Sequence, residues 1–249
     1  MYDTKDLFRR AEKCVSCHLA IDHELVAAGH PDLLAFELDS FSASMPPHWR
    51  DKGTWFGTRA WATGQAVSLR EGMKQLAQRA SSKTPDKLLD EAWQKARGTA
   101  VVFRHLLGQV APESQKALDQ DLATLTTLLG KPGGDRGKIA TTATQVAKAM
   151  DQLVPKIAAK EFDQATTQGL IQAIAGAAEP TSAAGIRGAE QAAMALDRLY
   201  NTYSKAPGSQ ADKGVKTALD KLFADVEDPK KFDAKQFAAD MKAFQGSFK

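Results

Sequence analysis

The chain predicts an all-α protein. An N-terminal segment over residues 1–56 wraps something other than side chains, and a bundle of about six to eight helices over 57–249 packs on it. Three observations lead there. Apolar residues recur at intervals of three and four almost everywhere after residue 57, with no sustained alternation of period two. Short Gly, Pro and Asp clusters punctuate those periodic runs. Residues 1–56 are instead richer in Pro, His and aromatic side chains, and the run Met45-Pro46-Pro47-His48-Trp49 breaks any helix.

The elements follow in order. Over 85–108, Leu89, Ala92, Trp93, Ala96, Phe103, Leu106 and Leu107 share one stripe behind Pro85, a good first-turn residue. Over 112–129, Leu118, Leu122, Leu125 and Leu129 repeat until the Gly/Pro run at 130–134 closes the helix. Ile139, Ala143, Val146, Met150, Leu153 and Ile157 keep the same spacing, as do Ile186, Ala189, Ala193, Leu196, Tyr200 and Tyr203. In the last helix Asp233 caps the free amides, Gln236 takes the capping-box position and Phe232 staples onto Phe237. These stripes are expected to complete a core of their own.

With 33 Lys and Arg against 30 Asp and Glu, the net charge of +3 gives no concentrated cationic surface for nucleic acid. No run of eighteen apolar residues occurs, so the chain is not expected to span a membrane. The polar opening before Cys14 fits an export signal already removed, or a piece whose upstream part is missing.

Both cysteines and four of the five histidines fall in residues 14–49, and Cys14-Val15-Ser16-Cys17-His18 is a C-x-x-C-H pentapeptide. That motif attaches haem c: two thiols add across two vinyl groups, and the adjacent imidazole reaches the iron. A thioredoxin-type redox pair would open a helix after a strand, and no strand-like run precedes Cys14. Zinc would need further ligands from His23, His30 and His48. One covalent haem is therefore expected, anchored by Cys14 and Cys17 with His18 as proximal ligand. The fifth histidine, His105, reads as a capped or core-edge residue on a helical stripe.

The sixth ligand decides between electron transfer and ligand chemistry. His30 is favoured. It stands twelve residues past His18, between Gly29, a natural helix stop, and Pro31, in a loop long enough to reach the opposite face. His23 would point away if a helix opening at Cys17 continued through it. His48, between Pro47 and Trp49, remains open as the ligand, as does a site filled by Met45 or left vacant.

The blocks "HELVAAGHPDL" and "FELDSFSASMPPHW" resemble the multihaem c-type cytochromes of the cytochrome c-554-like family, with a weaker likeness through "WATGQAVSLREGMKQLAQRA". The resemblance implies export to the periplasm or another extracytoplasmic space, and electron transfer at bis-histidine iron. It matches His23 and His30 to the family's two histidines of that block. It also implies redox partner proteins, other multihaem cytochromes among them. Members carry further C-x-x-C-H motifs and this chain has no third cysteine, so the resemblance implies a mono-haem relative or a fragment. The expected function is an electron carrier rather than an enzyme. The rivals are a haem enzyme or gas-binding protein in which His48 or Arg50 acts at an open face, and a docking subunit of a larger redox complex.

Overall fold

The computed structural model describes residues 3–19, 21–31, 36–45, 49, 51–130, 133–209 and 212–248. Every regular element among them is an α-helix: α1 (Leu7–His18), α2 (His23–Ala27), α3 (Leu38–Ser44), α4 (Phe56–Ser81), α5 (Asp86–Val110), α6 (Pro112–Leu129), α7 (Arg136–Ala159), α8 (Gln164–Ala175), α9 (Ala178–Ala183), α10 (Ile186–Ser204), α11 (Lys213–Glu227) and α12 (Ala234–Ser247).

Helix α4 is the hub, touching α1, α3, α5, α7 and α10. It is buried on nearly all sides from Ala60 to Ala80, so its residues form no single apolar stripe. Small residues let its neighbours close in. Leu38 of α3 sits against Gly64, and Ala96 of α5 against Gly72. Further out, a Cβ on Gly98 of α5 would meet the Arg187 carbonyl of α10 at 2.7 Å, so that crossing requires glycine. Helix α6 bridges α5 and α7, while α8, α9 and α11 pack on α10 and α12 lies against α8, α9 and α11.

The stripes over 85–108, 112–129, 139–157 and 186–203 are α5, α6, α7 and α10. Pro85 proves to be the N-cap of α5, one residue ahead of the first turn. The bundle holds nine helices among the described residues, more than the six to eight expected. The turn at Gly176–Ala177 and Gly185, with φ of 78°, divides the Ala-rich stretch into the short helices α8 and α9 ahead of α10. In α12, Asp233 accepts from the amides of Lys235 and Gln236, and Phe232 lies 6.1 Å from Phe237. The capping box does not close, because Gln236 turns instead to Asp240. Nor is the bundle's core its own: Leu7, Ala11, Val15, Leu19, Phe36 and Leu38 from the first 56 residues belong to the same apolar cluster.

Between α11 and α12, burial together with the neighbouring Asp240 carboxylate raises Asp225 from 3.8 to about 6. A folded-state pKa above the unfolded one contributes stability that is complete below about pH 4 and lost as pH rises through about 6. Denaturant titrations of the wild type should show this loss, and Asp225→Asn should flatten it. The slope removed should be well under ~1.4 kcal/mol per pH unit, because Asp225 is only partly buried and solvent screens part of the effect.

Candidate functional site: the C-terminal end of helix α1

Helix α1 starts at an Asp6 cap, whose carboxylate accepts from the Arg9 amide at 2.8 Å, and it lays Leu7, Arg10, Ala11 and Val15 on the bundle. The pentapeptide forms its last turns. Cys14, Cys17 and His18 are three and four residues apart, so they share one side of the helix end. The expectation that a helix opens at Cys17 is corrected. The helix runs into the motif and stops at His18, with Leu19 as C-cap, and a separate helix begins at His23.

The bundle holds the chain where it leaves the motif. Lys95 of α5 donates to the Leu19 carbonyl at 3.1 Å, placing a cation at the negative end of α1. Gln75 of α4 donates to the Ile21 carbonyl at 2.8 Å, and Gln78 to Asp22 at 3.2 Å. Asp22 in turn caps α2 through the Glu24 amide. On the other side Arg10 is fully buried, over the Trp49 ring at 4.5 Å and bonded to Asp51 at 2.9 Å, which fastens the start of segment 51–55 to α1. Arg70 of α4 links Glu12 of α1 to Asp151 of α7, with N···O separations of 2.9 and 3.5 Å.

The motif's own side chains have no such ties. Cys14 is half-buried, Cys17 is exposed, and both are free thiols. His18 is exposed and its ring nitrogens have no hydrogen-bond partner among the described residues. One face of the ring is covered instead. Phe36 stacks on it at 4.9 Å with an 8° interplanar angle, and Phe41 stacks on Phe36 at 4.8 Å. Phe41 is nonetheless 52 % exposed, with Leu25 at 54 % and Met45 at 45 %. Three of the four large apolar side chains exposed among the described residues thus lie in the segment just after the motif.

A nucleophilic thiol would be favoured at a helix N-terminus beside cations. Here both thiols sit at the C-terminal end, and burial raises Cys14 above the ordinary thiol range, against the opposing pull of Arg10. Among the described residues no three His, Cys, Asp or Glu side chains are grouped to hold a metal ion. Thioether attachment requires no such cluster, since the thiols bond carbon.

The other candidates are placed as follows. Gly29, at φ 100°, ends α2 in a Schellman turn: the His30 amide donates to Leu25 and the Gly29 amide to Val26. His30 is exposed, and its Nδ1 lies 2.8 Å from the Pro31 carbonyl. A carbonyl only accepts, so Nδ1 is the donor in this contact and Nε2 is the nitrogen left for another partner. Met45 caps the end of α3. His23 is the first residue of α2 but its side chain lies outside the described structure, as do His48 and Arg50 entirely. His105 lines a cavity between α5, α6 and α9, far along the chain. Burial holds it near pKa 4, as expected of a core-edge histidine. The aromatic cover from Phe36 and Phe41 has no periodic signal in the sequence, the two residues standing five apart.

Comparison with protein-family models, curated proteins and solved structures finds no match. No helix among the described residues is long and apolar enough to cross a membrane.

Proposed function

We propose that the protein is an exported c-type cytochrome that carries one covalent haem on Cys14 and Cys17 and transfers electrons at a bis-histidine iron. One observation carries the reading: two free thiols and an unbonded imidazole share one side of a helix end, next to exposed Phe41. Those residues fit the group. The thiols can each form a thioether, His18 can bind iron through a ring nitrogen, and the exposed apolar surface can lie against a macrocycle. The haem supplies one-electron chemistry. The chain's residues supply the rest. Phe36 holds the plane of the His18 ring, while Lys95, Gln75 and Gln78 fix the backbone that leaves it. The likeness to the cytochrome c-554-like family adds support for export and for redox proteins as partners.

His30 is the preferred sixth ligand. An imidazole whose Nδ1–H is held by a backbone carbonyl presents Nε2 in a fixed orientation, the arrangement metal-bound histidines adopt. The chain between His18 and His30 includes only the five residues of α2 as helix, so roughly 20 Å of reach remains. The holoprotein should show a low-spin ferric spectrum without a sulfur-to-iron band, and bind little carbon monoxide when reduced. His30→Ala should turn it high-spin and carbon monoxide-binding. A native spectrum in that variant, lost instead in His23→Ala or His48→Ala, transfers the role to the other histidine. Rapid carbon monoxide binding by the unmutated protein replaces the electron carrier with a haem enzyme or gas-binding protein.

A further inference from the structure

Behind the aromatic stack lies a carboxyl that electron carriage alone does not use. Glu37 directly follows Phe36, so its backbone stands one peptide, ~3.8 Å between Cα atoms, from the residue that covers His18. Its side chain is buried. The groups that face it are Asp39 from α3, Gln65 from α4, and Asp197 and Arg198 from α10. The one cation among them is committed elsewhere. Arg198 donates to Asp39 at 2.9 Å and to Asp197 at 3.1 Å. Glu37 keeps a single neutral donor, Gln65 Nε2 at 2.8 Å. Around it, Asp39 Oδ1 and Gln65 Oε1 are both buried acceptors without a hydrogen-bond partner.

Buried acceptors are rarely left unpaired, so this cluster is short of donors and an additional O–H within it is favoured. The surroundings favour that protonated form. Burial and the Asp39 charge push Glu37 well above the ordinary carboxylate range, and Gln65 and Arg198 only partly oppose them. A carboxyl so placed responds to a change of charge nearby, because Coulombic interactions are weakly screened in a protein interior.

We propose that Glu37 binds a proton when the protein accepts an electron and releases it on reoxidation, so that one proton travels with each electron. This rests on the covalent-haem reading. In the balanced step a haem held by Cys14, Cys17 and His18 would take one electron from an external one-electron donor, its iron being reduced as the donor is oxidised. The Glu37 carboxylate takes one proton from solvent, and its O–H is the only bond formed. The driving term is charge: the positive charge removed at the iron no longer favours the carboxylate over the neutral acid.

The test is a potentiometric titration of the holoprotein between about pH 5 and 9, with redox-difference infrared spectra of the same samples. The midpoint should fall by roughly 59 mV per pH unit over part of that range, the tenfold-per-unit dependence of a one-electron, one-proton couple. Reduction should raise a carboxylic C=O band that shifts when glutamate is carbon-13 labelled. Glu37→Gln should abolish both the slope and the band. A midpoint independent of pH, a slope kept in Glu37→Gln, or a band that ignores the glutamate label overturns the proposal. The labelled wild type decides the matter if the variant does not fold. Absence of any covalent haem is a different result: it overturns the cytochrome reading itself.

Discussion

Produced with a haem-c maturation system, the protein should give one covalent haem per chain in a pyridine haemochrome assay, and Cys14→Ala/Cys17→Ala should give none. The effect is all-or-none because no other thiols exist in the chain. The fold should survive the double substitution. Cys17 is exposed and Cys14 only half-buried, and neither is bonded, so the loss should be about 1 kcal/mol or less. Retained helicity with lost haem separates attachment from folding. Two haems per chain, or none in the unmutated protein, removes the central claim.

Trp61→Ala should produce the largest loss of stability. Trp61 is a fully buried side chain of α4, and replacing a buried aromatic by alanine costs ~3–5 kcal/mol. For a chain of this size the melting temperature should drop by on the order of 10 °C. The loss should also reach the motif, because α1 and α3 share the core that α4 organises. A fluorophore on Cys17, in a Cys14→Ser background, and far-UV circular dichroism should therefore report one midpoint in both proteins. Two separated midpoints would restore the picture of a bundle with a core of its own.

Helices α5, α6, α7 and α10 were legible because each buries one stripe and leaves the other side wet. Helix α4 was not, since near-complete burial removes the contrast on which periodicity depends. Small breakers at 176–177 and 185 looked like tolerable residues within Ala-rich helix, and only packing around α10 made them turns. At the site, the grouping of Cys14, Cys17 and His18 on one helix end was legible because the three fall within five residues; that they hold a haem is the proposal. The stop at Gly29 was equally local and took the expected form. The Phe36 stack on His18 and the isolation of Glu37 depend on α4 and α10 arriving from elsewhere in the chain, and no local pattern announces such meetings.

The central position of α4 has a consequence for hydrogen exchange. Amides in a helix enclosed by five others open only when the whole molecule does, so α4 should be the last element to take up deuterium. Helix α2, five residues long with exposed Leu25 and Ala27, should exchange early. The side chains that grip Ile21, Asp22 and Glu37 come from α4. The motif is thus seated on the slowest-exchanging part of the molecule, beside one of the fastest. Under the proposed function, a haem seated there would reorganise little around His18 and more around His30.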